Sequence, residues 1–209
     1  MKTINPYKYP TTVVVGNGEF PQASLPLEII DNAQTIVVCY GAANHYIPTG
    51  RKFDIIIGDG DSMLPEIRKE NASRNIISSC QETNDQSKAV QHLASQGVKD
   101  IAIVGATGKR DDHTLGNISL LIEYFKQGIT ARIYTDHGIF IPAQGNTTIQ
   151  TRVGQQISIF NFGCTELSAQ GLKYPIRPFD NWWQGTLNEA TANHCIINAN
   201  DLYLIYLAL

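Results

Sequence analysis

The sequence Ile-Ile-Ile-Gly-Asp-Gly-Asp-Ser at residues 55–62 decides the fold more than any other stretch. Its three β-branched residues favour a buried strand, and the glycines that follow end the strand in a turn. Asp59 and Asp61 stand one residue apart on this turn, where two like charges repel unless a cation lies between them. Ligands of α/β sheets bind at the carboxyl ends of strands, so the pattern favours a Mg²⁺ site for a polyphosphate substrate. The alternative is a polar turn with two solvated aspartates.

Composition excludes several classes of protein. The 209 residues carry a net charge of −3 and contain no basic run longer than two residues, which argues against nucleic acid as a main partner. No apolar run approaches the roughly 18 residues of a membrane helix, and residues 1–12 lack the apolar block of a signal peptide. The cysteines at positions 39, 80, 164 and 195 form no Cys-x-x-Cys pair, which predicts reduced thiols and a cytoplasmic location.

Strand and helix patterns alternate over the first two thirds of the chain. Strands are predicted at residues 12–15, 35–39, 53–57, 75–79, 100–104 and 131–135, and the clearest helices at residues 85–96 and 113–127. In the second helix, Leu115, Ile118, Ile122 and Phe125 predict an apolar stripe. Repeated β-α units predict a three-layer α/β domain, with a parallel sheet between two layers of helices.

The pattern changes near residues 136–138. Short strands are predicted at residues 138–142, 147–151, 156–160, 166–169, 193–198 and 202–207, separated by glycine-containing turns and without an amphipathic helix. This texture is typical of an antiparallel β-sandwich or half-barrel. We therefore predict an α/β domain over residues 1–136 and a β-sandwich domain over residues 137–209.

Residues 105–113, with the sequence Gly-Ala-Thr-Gly-Lys-Arg-Asp-Asp-His, predict a phosphate-binding loop. The glycines let backbone amides approach an anion, and the helix that follows adds positive potential at its N-terminus. Lys109 and Arg110 supply charge, and the Arg110 guanidinium has the fork geometry that matches phosphate. The loop is not a Walker A motif, because that spacing and the Ser or Thr after the lysine are absent. The alternative is a helix capped by Asp111 or Asp112, with the basic pair in solvent.

Two further loops follow predicted strands. Residues 15–21 begin like a dinucleotide fingerprint, but Pro21 stands where the third glycine belongs, so we predict only a tight turn. Asp85 begins a helix, where an acid alone is usually a cap or a first-turn residue. Because its loop also follows the carboxyl end of a strand, Asp85 is a candidate to join Asp59 and Asp61 in a divalent-metal site. The five histidines show no metal-ligand spacing.

A series of short motifs, in order and spacing, resembles the thiamine pyrophosphokinase family over nearly the whole chain. The motifs are residues 41–44 (Gly-Ala-Ala-Asn), 58–62, Gln81 with Asn84 and Asp85, residues 105–110 with Asp112 and His113, Asn117, residues 171–174 and residues 185–189. The resemblance implies an N-terminal α/β domain followed by a β-sandwich, in a homodimer with thiamine bound between subunits. It also implies transfer of the pyrophosphoryl group of ATP to the thiamine hydroxyl, giving thiamine diphosphate and AMP.

The resemblance also implies roles for individual residues. Asp59, Asp61 and Asp85 are expected to hold Mg²⁺ on the triphosphate and, with Arg110, to be catalytic. The expected nucleotide-binding residues are Gly105, Thr107, Gly108, Lys109, Arg110, Asp112 and His113. Gln81 of one subunit and Asn188 of the other are expected to contact thiamine. Tyr203 is the candidate ring to stack on thiamine. The alternative is that Tyr203 is an aromatic residue of the core and that Trp182 or Trp183 stacks on thiamine instead.

One departure from the family keeps other readings open. Tyr40 stands where the family usually has an aspartate before Gly-Ala-Ala-Asn, so a carboxylate near the metal and phosphates is lost. This favours, as an alternative, a catalytically weakened protein that binds thiamine or nucleotide as a sensor. A haloacid-dehalogenase-like phosphohydrolase is a further alternative, because residues 59–61 (Asp-Gly-Asp) follow an apolar strand. Met63, however, stands where that class has Thr or Val.

Overall fold

Two β-sheets and five α-helices organise the chain in the computed structural model, which describes residues 1–59, 62–78 and 82–209. The strands are β1 (Lys2–Ile4), β2 (Thr12–Val15), β3 (Thr35–Cys39), β4 (Ile55–Gly58), β5 (Asn75–Ile77), β6 (Asp100–Val104), β7 (Thr130–Tyr134), β8 (Gly138–Gln144), β9 (Thr147–Gln150), β10 (Gln156–Asn161), β11 (Leu167–Gln170), β12 (Asn188–Glu189), β13 (His194–Ala199) and β14 (Leu202–Ala208). The helices are α1 (Ser24–Asp31), α2 (Tyr40–Tyr46), α3 (Pro65–Glu70), α4 (Asp85–Ser95) and α5 (Asp111–Lys126). Short 3₁₀ turns lie at Ile47–Thr49, Ala72–Arg74 and Trp182–Gly185.

The larger sheet has ten strands in the order β12-β10-β14-β8-β7-β6-β2-β3-β4-β5. The six strands from β7 to β5 are parallel, as their β-α connections require, and β8, β14, β10 and β12 extend the sheet with antiparallel pairs. The parallel strands are buried because helices cover them, so Val13, Val14 and Val15 are all solvent-inaccessible or nearly so. The predicted fold class, α/β followed by an antiparallel β domain, is confirmed.

The smaller sheet has the order β1-β9-β13-β11 and faces the antiparallel half of the larger one. The Tyr203 side chain of β14 crosses between the two, with its hydroxyl bonded to the Thr147 hydroxyl of β9. The N-terminal strand β1 pairs in parallel with β9, so residues at the start of the chain complete the sheet of the C-terminal part. The sequence pattern did not predict β1, because three residues are too few to show a period.

The two predicted domains share the larger sheet. It passes without interruption from β7 to β8, with Ile133 opposite Phe140 and Tyr134 opposite Ile139. The predicted boundary at residues 136 and 137 falls in the turn of this hairpin. The division into two domains stays a prediction.

Helix α5 corrects one expectation. Leu115 was predicted in its buried stripe, but 59% of Leu115 is exposed, whereas Leu121, Ile122 and Tyr124 form the buried face. Only the C-terminal half of α5 packs closely on the sheet, because its first turns extend past the strand ends, where a cavity opens. No helix in the described part of the chain is both long and apolar enough to span a membrane.

Candidate active site at the carboxyl ends of the parallel strands

A cavity of about 570 Å³ opens at the carboxyl ends of the parallel strands. Its wall is formed by residues 16–18 after β2, Cys39 at the end of β3, Asp59 after β4, the first turn of α4, and the loop that leads into α5. Ligand pockets commonly measure about 300–1,000 Å³, so the cavity suits a nucleotide-sized molecule.

Two glycine-containing turns lock together on one side of the cavity. The Gly18 amide donates to the Gly105 carbonyl at 2.6 Å, and the Glu19 amide donates to the Thr107 carbonyl at 2.7 Å. Gly105 has φ of +63°, a region that residues with a Cβ rarely adopt. A Cβ on Gly18 would lie 2.6 Å from the Gly105 carbonyl oxygen, so only glycine fits there. The turn predicted at residues 15–21 therefore holds the candidate phosphate-binding loop at residues 105–113 in place, and it forms part of the same cavity wall.

Asp59 and Asp85 meet at the bottom of the cavity around a lysine whose role the sequence did not indicate. The Lys88 Nζ lies 3.2 Å from the Asp85 Oδ1 and 3.6 Å from the Asp59 Oδ2. Only 3% of the Lys88 side chain is exposed. The spacing of three residues between Asp85 and Lys88 was the available signal, because it places both side chains on one helix face.

The electrostatics of this cluster reflect its burial. Burial raises the pKa of Asp85, an effect that the Lys88 ammonium opposes and the Asp59 charge reinforces. Burial lowers the pKa of Lys88, but hydrogen bonding and charge attraction from Asp85 and Asp59 outweigh it, so the net shift is upward. The ammonium is thus held in its charged form between the two carboxylates.

The cluster fits the chemistry of a hard divalent cation. Asp59 and Asp85 offer oxygen ligands close enough to share one cation, and oxygen is the donor that Mg²⁺ prefers. Among residues 1–59, 62–78 and 82–209, no group of three or more His, Cys, Asp and Glu side chains is arranged to hold a metal. Asp61, the third predicted ligand, and Gln81, the predicted thiamine contact, lie outside the described residues. The three-carboxylate set stays a prediction.

Asparagine side chains hold the cavity wall in place. Asn84 caps α4 by accepting from the Ser87 amide at 2.9 Å, and its Nδ2 donates to the Asn117 Oδ1 at 3.0 Å. The Asn117 Nδ2 in turn donates to the Ala106 carbonyl at 2.8 Å. Asn117 therefore ties the glycine loop to the helix that carries Asp85 and Lys88, a positioning role that the motif alone did not reveal.

The predicted nucleotide-binding residues divide into two groups. Thr107, Lys109, Arg110 and His113 line the cavity, whereas Gly105, Gly108 and Asp112 lie beside it and shape the loop. Arg110 and Asp112 form a paired contact with N–O distances of 3.1 and 2.7 Å. This contact raises the pKa of Arg110 and lowers the pKa of Asp112, although both side chains are largely exposed. Across the cavity mouth, the Lys109 Nζ donates to the Asn17 Oδ1 at 3.3 Å.

Tyr40, at the position where the family usually has an aspartate, does not line the cavity. Its side chain is fully buried behind the cavity, and its ring lies against Gly58, where a Cβ would come within 2.5 Å of the ring. Burial raises the pKa of the Tyr40 hydroxyl. The neighbouring Asn44 holds the segment beyond the aspartate turn, by donating to the Ser62 carbonyl at 2.7 Å and accepting from the Leu64 amide at 2.9 Å.

The predicted thiamine residues of the C-terminal part lie elsewhere. Tyr203 is fully buried between the sheets, and its hydroxyl also donates to the Gly145 carbonyl at 3.1 Å, so this ring is a core aromatic and is not open to a ligand. Asn188 is buried as well: its side chain accepts from the Tyr174 amide at 3.1 Å and donates to the Tyr174 carbonyl at 2.8 Å. Asn188 thereby fastens residues 171–174 to β12.

Apolar side chains beside Asn188 face solvent. Trp183 is 74% exposed and Leu187 is 80% exposed, and Leu187 has φ of +63°, the one described non-glycine residue with positive φ. Trp182 packs more closely, with its ring centroid 5.0 Å from that of Phe162. Strained, exposed apolar residues of this kind cluster at binding surfaces.

The two groups of predicted residues stand far apart within one chain. Strand β4, which ends one residue before Asp59, is eight strand spacings from β12 in the larger sheet. At the usual spacing between strands, this corresponds to roughly 35–40 Å along a flat sheet. One chain therefore does not place Asn188 next to the cluster of Asp59, Asp85 and Lys88.

Comparison with protein families finds two matches that together cover most of the chain. The thiamin pyrophosphokinase catalytic domain matches residues 27–133, which is more than half of the chain. The thiamin pyrophosphokinase substrate-binding domain matches residues 138–206. A comparison with curated protein sequences finds no significant match.

Solved structures of similar fold extend the comparison to both parts of the chain. Thiamin pyrophosphokinase from Candida albicans superposes with a TM-score of 0.82 at 17% identity, covering 100% of this chain and 93% of that one. The Bacillus subtilis thiamine pyrophosphokinase gives a TM-score of 0.78 at 21% identity, with 99% of both chains covered. The yeast protein gives 0.78 at 14% identity, with coverages of 99% and 90%. At these identities, the structures establish the fold alone.

Proposed function

Because the chain belongs to the thiamin pyrophosphokinase family, we propose that it transfers the pyrophosphoryl group of ATP to the hydroxyl of thiamine, with Mg²⁺, giving thiamine diphosphate and AMP. Family membership establishes an enzyme of the thiamin pyrophosphokinase type. The observation that carries the finer proposal is the position of Asp59 and Asp85 in one cavity with the glycine loop and its basic residues.

The nucleotide is proposed to bind with its phosphates against the loop that precedes α5. Thr107, Lys109, Arg110 and His113 line this side of the cavity, and α5 directs the positive end of its dipole toward it. Arg110 presents a guanidinium that Asp112 already orients through two contacts. A guanidinium oriented in this way can form two parallel hydrogen bonds to phosphate oxygens.

Asp59 and Asp85, together with Asp61, are the proposed ligands of Mg²⁺. When bound, the metal supplies positive charge that covers the phosphate oxygens during transfer. The protein side chains hold the reactants in position and neutralise charge, which are the main requirements of phosphoryl-type transfer. The thiamine oxygen forms a bond to the β-phosphorus of ATP, the bond from that phosphorus to the α–β bridging oxygen breaks, and AMP leaves with that oxygen. The thiamine hydroxyl gives up its proton to solvent water as the new bond forms.

Thiamine is proposed to bind between two copies of the chain. The separation of β4 from β12 supports this arrangement, because residues 185–189, which the resemblance assigns to thiamine binding, lie far from Asp59 within one chain. Asn188 would hold the segment through Tyr174, and exposed Trp183 is the proposed ring for the cationic thiamine, since stacking of this kind is worth about 0.5–2 kcal/mol. Gln81 of the first subunit remains a proposed contact.

We also propose a cytoplasmic location, supported by free, buried thiols at Cys39, Cys164 and Cys195.

The test is an assay that follows AMP and thiamine diphosphate together, with purified protein, MgATP and thiamine. Equal amounts of both products, formed only with metal, are the expected result. Binding of thiamine and nucleotide without AMP would contradict the proposal and favour a sensor. Release of phosphate from simple esters without ATP would instead favour a phosphohydrolase.

A further inference from the structure

Lys88 is a buried cation at the centre of the candidate metal site. Its side chain extends from the first turns of α4 to the carboxyl end of β4, and it is almost completely enclosed. Its ammonium contacts Asp85 at 3.2 Å and Asp59 at 3.6 Å. These two carboxylates are the groups that the proposed function assigns to Mg²⁺.

The ammonium and a metal ion compete for the same negative charge. A divalent cation that binds to Asp59 and Asp85 comes within a few ångströms of Lys88, and the two like charges repel because the buried ammonium is poorly screened by water. A metal that arrives on a triphosphate brings negative charge with it, which offsets this repulsion. Lys109, the other lysine of the cavity, is exposed and contacts Asn17 on the opposite wall, so it leaves the carboxylates free of this effect.

We propose that Lys88 is a built-in counter-ion that keeps bare Mg²⁺ from the pair formed by Asp59 and Asp85, so that the metal enters together with its triphosphate. Lys88 thus acts as a positioning residue. In the nucleotide-free protein it holds the two carboxylates in place and neutralises part of their charge, and they bind the metal when it arrives with the triphosphate. This inference rests on the proposed function, because that function makes Asp59 and Asp85 the metal ligands.

The experiment is calorimetric titration of Mg²⁺ into nucleotide-free protein, with a parallel thermal-unfolding series. Lys88→Met removes the charge and keeps an unbranched side chain of similar length that fits a buried site. We expect it to bind Mg²⁺ about tenfold or more tightly than the wild type, and to gain more thermal stabilisation from Mg²⁺. Lys88→Arg keeps the charge and is expected to resemble the wild type.

Lys109→Met is the matched control, because it removes a cation from the same cavity without touching the carboxylates. Unchanged Mg²⁺ affinity in Lys88→Met, or an equal gain in Lys109→Met, would overturn the inference. If Lys88→Met does not fold, Lys88→Gln replaces it under the same criterion. Turnover of the wild type is measured separately. If the wild type forms product but Lys88→Met binds Mg²⁺ no more tightly, the inference alone is refuted. If the wild type forms no product, the proposed function is refuted, and the Mg²⁺ titration still decides the role of Lys88.

Discussion

The two ends of the ten-stranded sheet differ in which side chains they expose and which they bury. At the parallel end, Asp59, Asp85 and Lys88 direct charged groups into a cavity. At the antiparallel end, the polar side chain of Asn188 is buried and bonded to backbone, while Leu187 beside it faces solvent.

Strand direction explains the difference. Parallel strands all end on one edge, so the loops after β2, β4 and β6 converge and one chain builds a polar site. Antiparallel neighbours end on alternate edges, so their loops do not converge on one polar site. The parallel end therefore gathers charged side chains within one chain, whereas the exposed apolar residues of the other end support the proposed contact with a second copy.

The largest effect is expected from Asp59→Asn, which removes a carboxylate from the cavity at the parallel end. The substitution keeps the side-chain size and removes a charge that the site needs, so the rate of AMP formation should fall by about 10²–10³-fold. Lys88 keeps Asp85 as a partner, so the folded structure should persist, as measured by circular dichroism and thermal unfolding. Asp111→Asn is the control, because Asp111 is exposed in the first turn of α5, outside the cavity wall, and turnover should stay within about twofold. A loss of less than tenfold in Asp59→Asn would contradict the role of this carboxylate.

The next effect tests whether the antiparallel end needs a partner. Leu187→Asp places a charge on the exposed apolar loop, and Asp tolerates the left-handed backbone found there. We expect the dissociation constant of the proposed dimer, measured by sedimentation velocity over a range of concentrations, to rise by about 100-fold or more. Leu187→Met keeps an apolar side chain at the same position and should leave dimerisation nearly unchanged. Equal dissociation constants for the Asp variant and the wild type would show that this surface does not hold two subunits together.

A smaller effect is expected from the interlocked turns of the parallel end. In Gly18→Ala, the new Cβ meets the Gly105 and Thr107 carbonyls, so the phosphate-loop candidate must shift. We expect the free energy of unfolding, measured with urea, to fall by about 1–3 kcal/mol and the KM for ATP to rise. Gly116→Ala is the matched control: this glycine lies inside α5 with open space around it, so alanine should raise stability by up to about 1 kcal/mol. A Gly18→Ala variant as stable as the wild type would mean that the two turns do not constrain each other.

The last effect appears only at alkaline pH and concerns the core of the antiparallel end. Burial raises the pKa of Cys195 to about 11, from 9.0. The unfolded chain ionises this thiol first, so its contribution to stability is complete below about pH 9 and is lost as the pH rises toward 11. The difference in unfolding free energy between the wild type and Cys195→Ala should therefore narrow by about 2 kcal/mol between pH 8.5 and 11. A difference in unfolding free energy that stays constant between pH 8.5 and 11 would contradict this account.

The sequence by itself determined where the strands other than β1 and β12 lie along the chain, and the place of the polar loops. The strands at residues 12–15, 35–39 and 100–104 match the structure to the residue, because runs of β-branched residues and the turns that end them are local signals. Helix α5 was predicted from its period, although its start at Asp111 and the exposure of Leu115 were not. Because the parallel strands were identified, the gathering of Asp59 and Asp85 with the glycine loop on one edge was also predictable from the sequence.

Only the tertiary structure decided which partner each side chain meets. Lys88 lies between two carboxylates because α4 packs beside β4. Tyr40 points into the core instead of the cavity, and Tyr203 bonds across the sheets to Thr147 instead of facing a ligand. Sequence periodicity specifies which face of an element is buried, but a specific contact depends on how separate elements pack, and residues distant along the chain decide that packing.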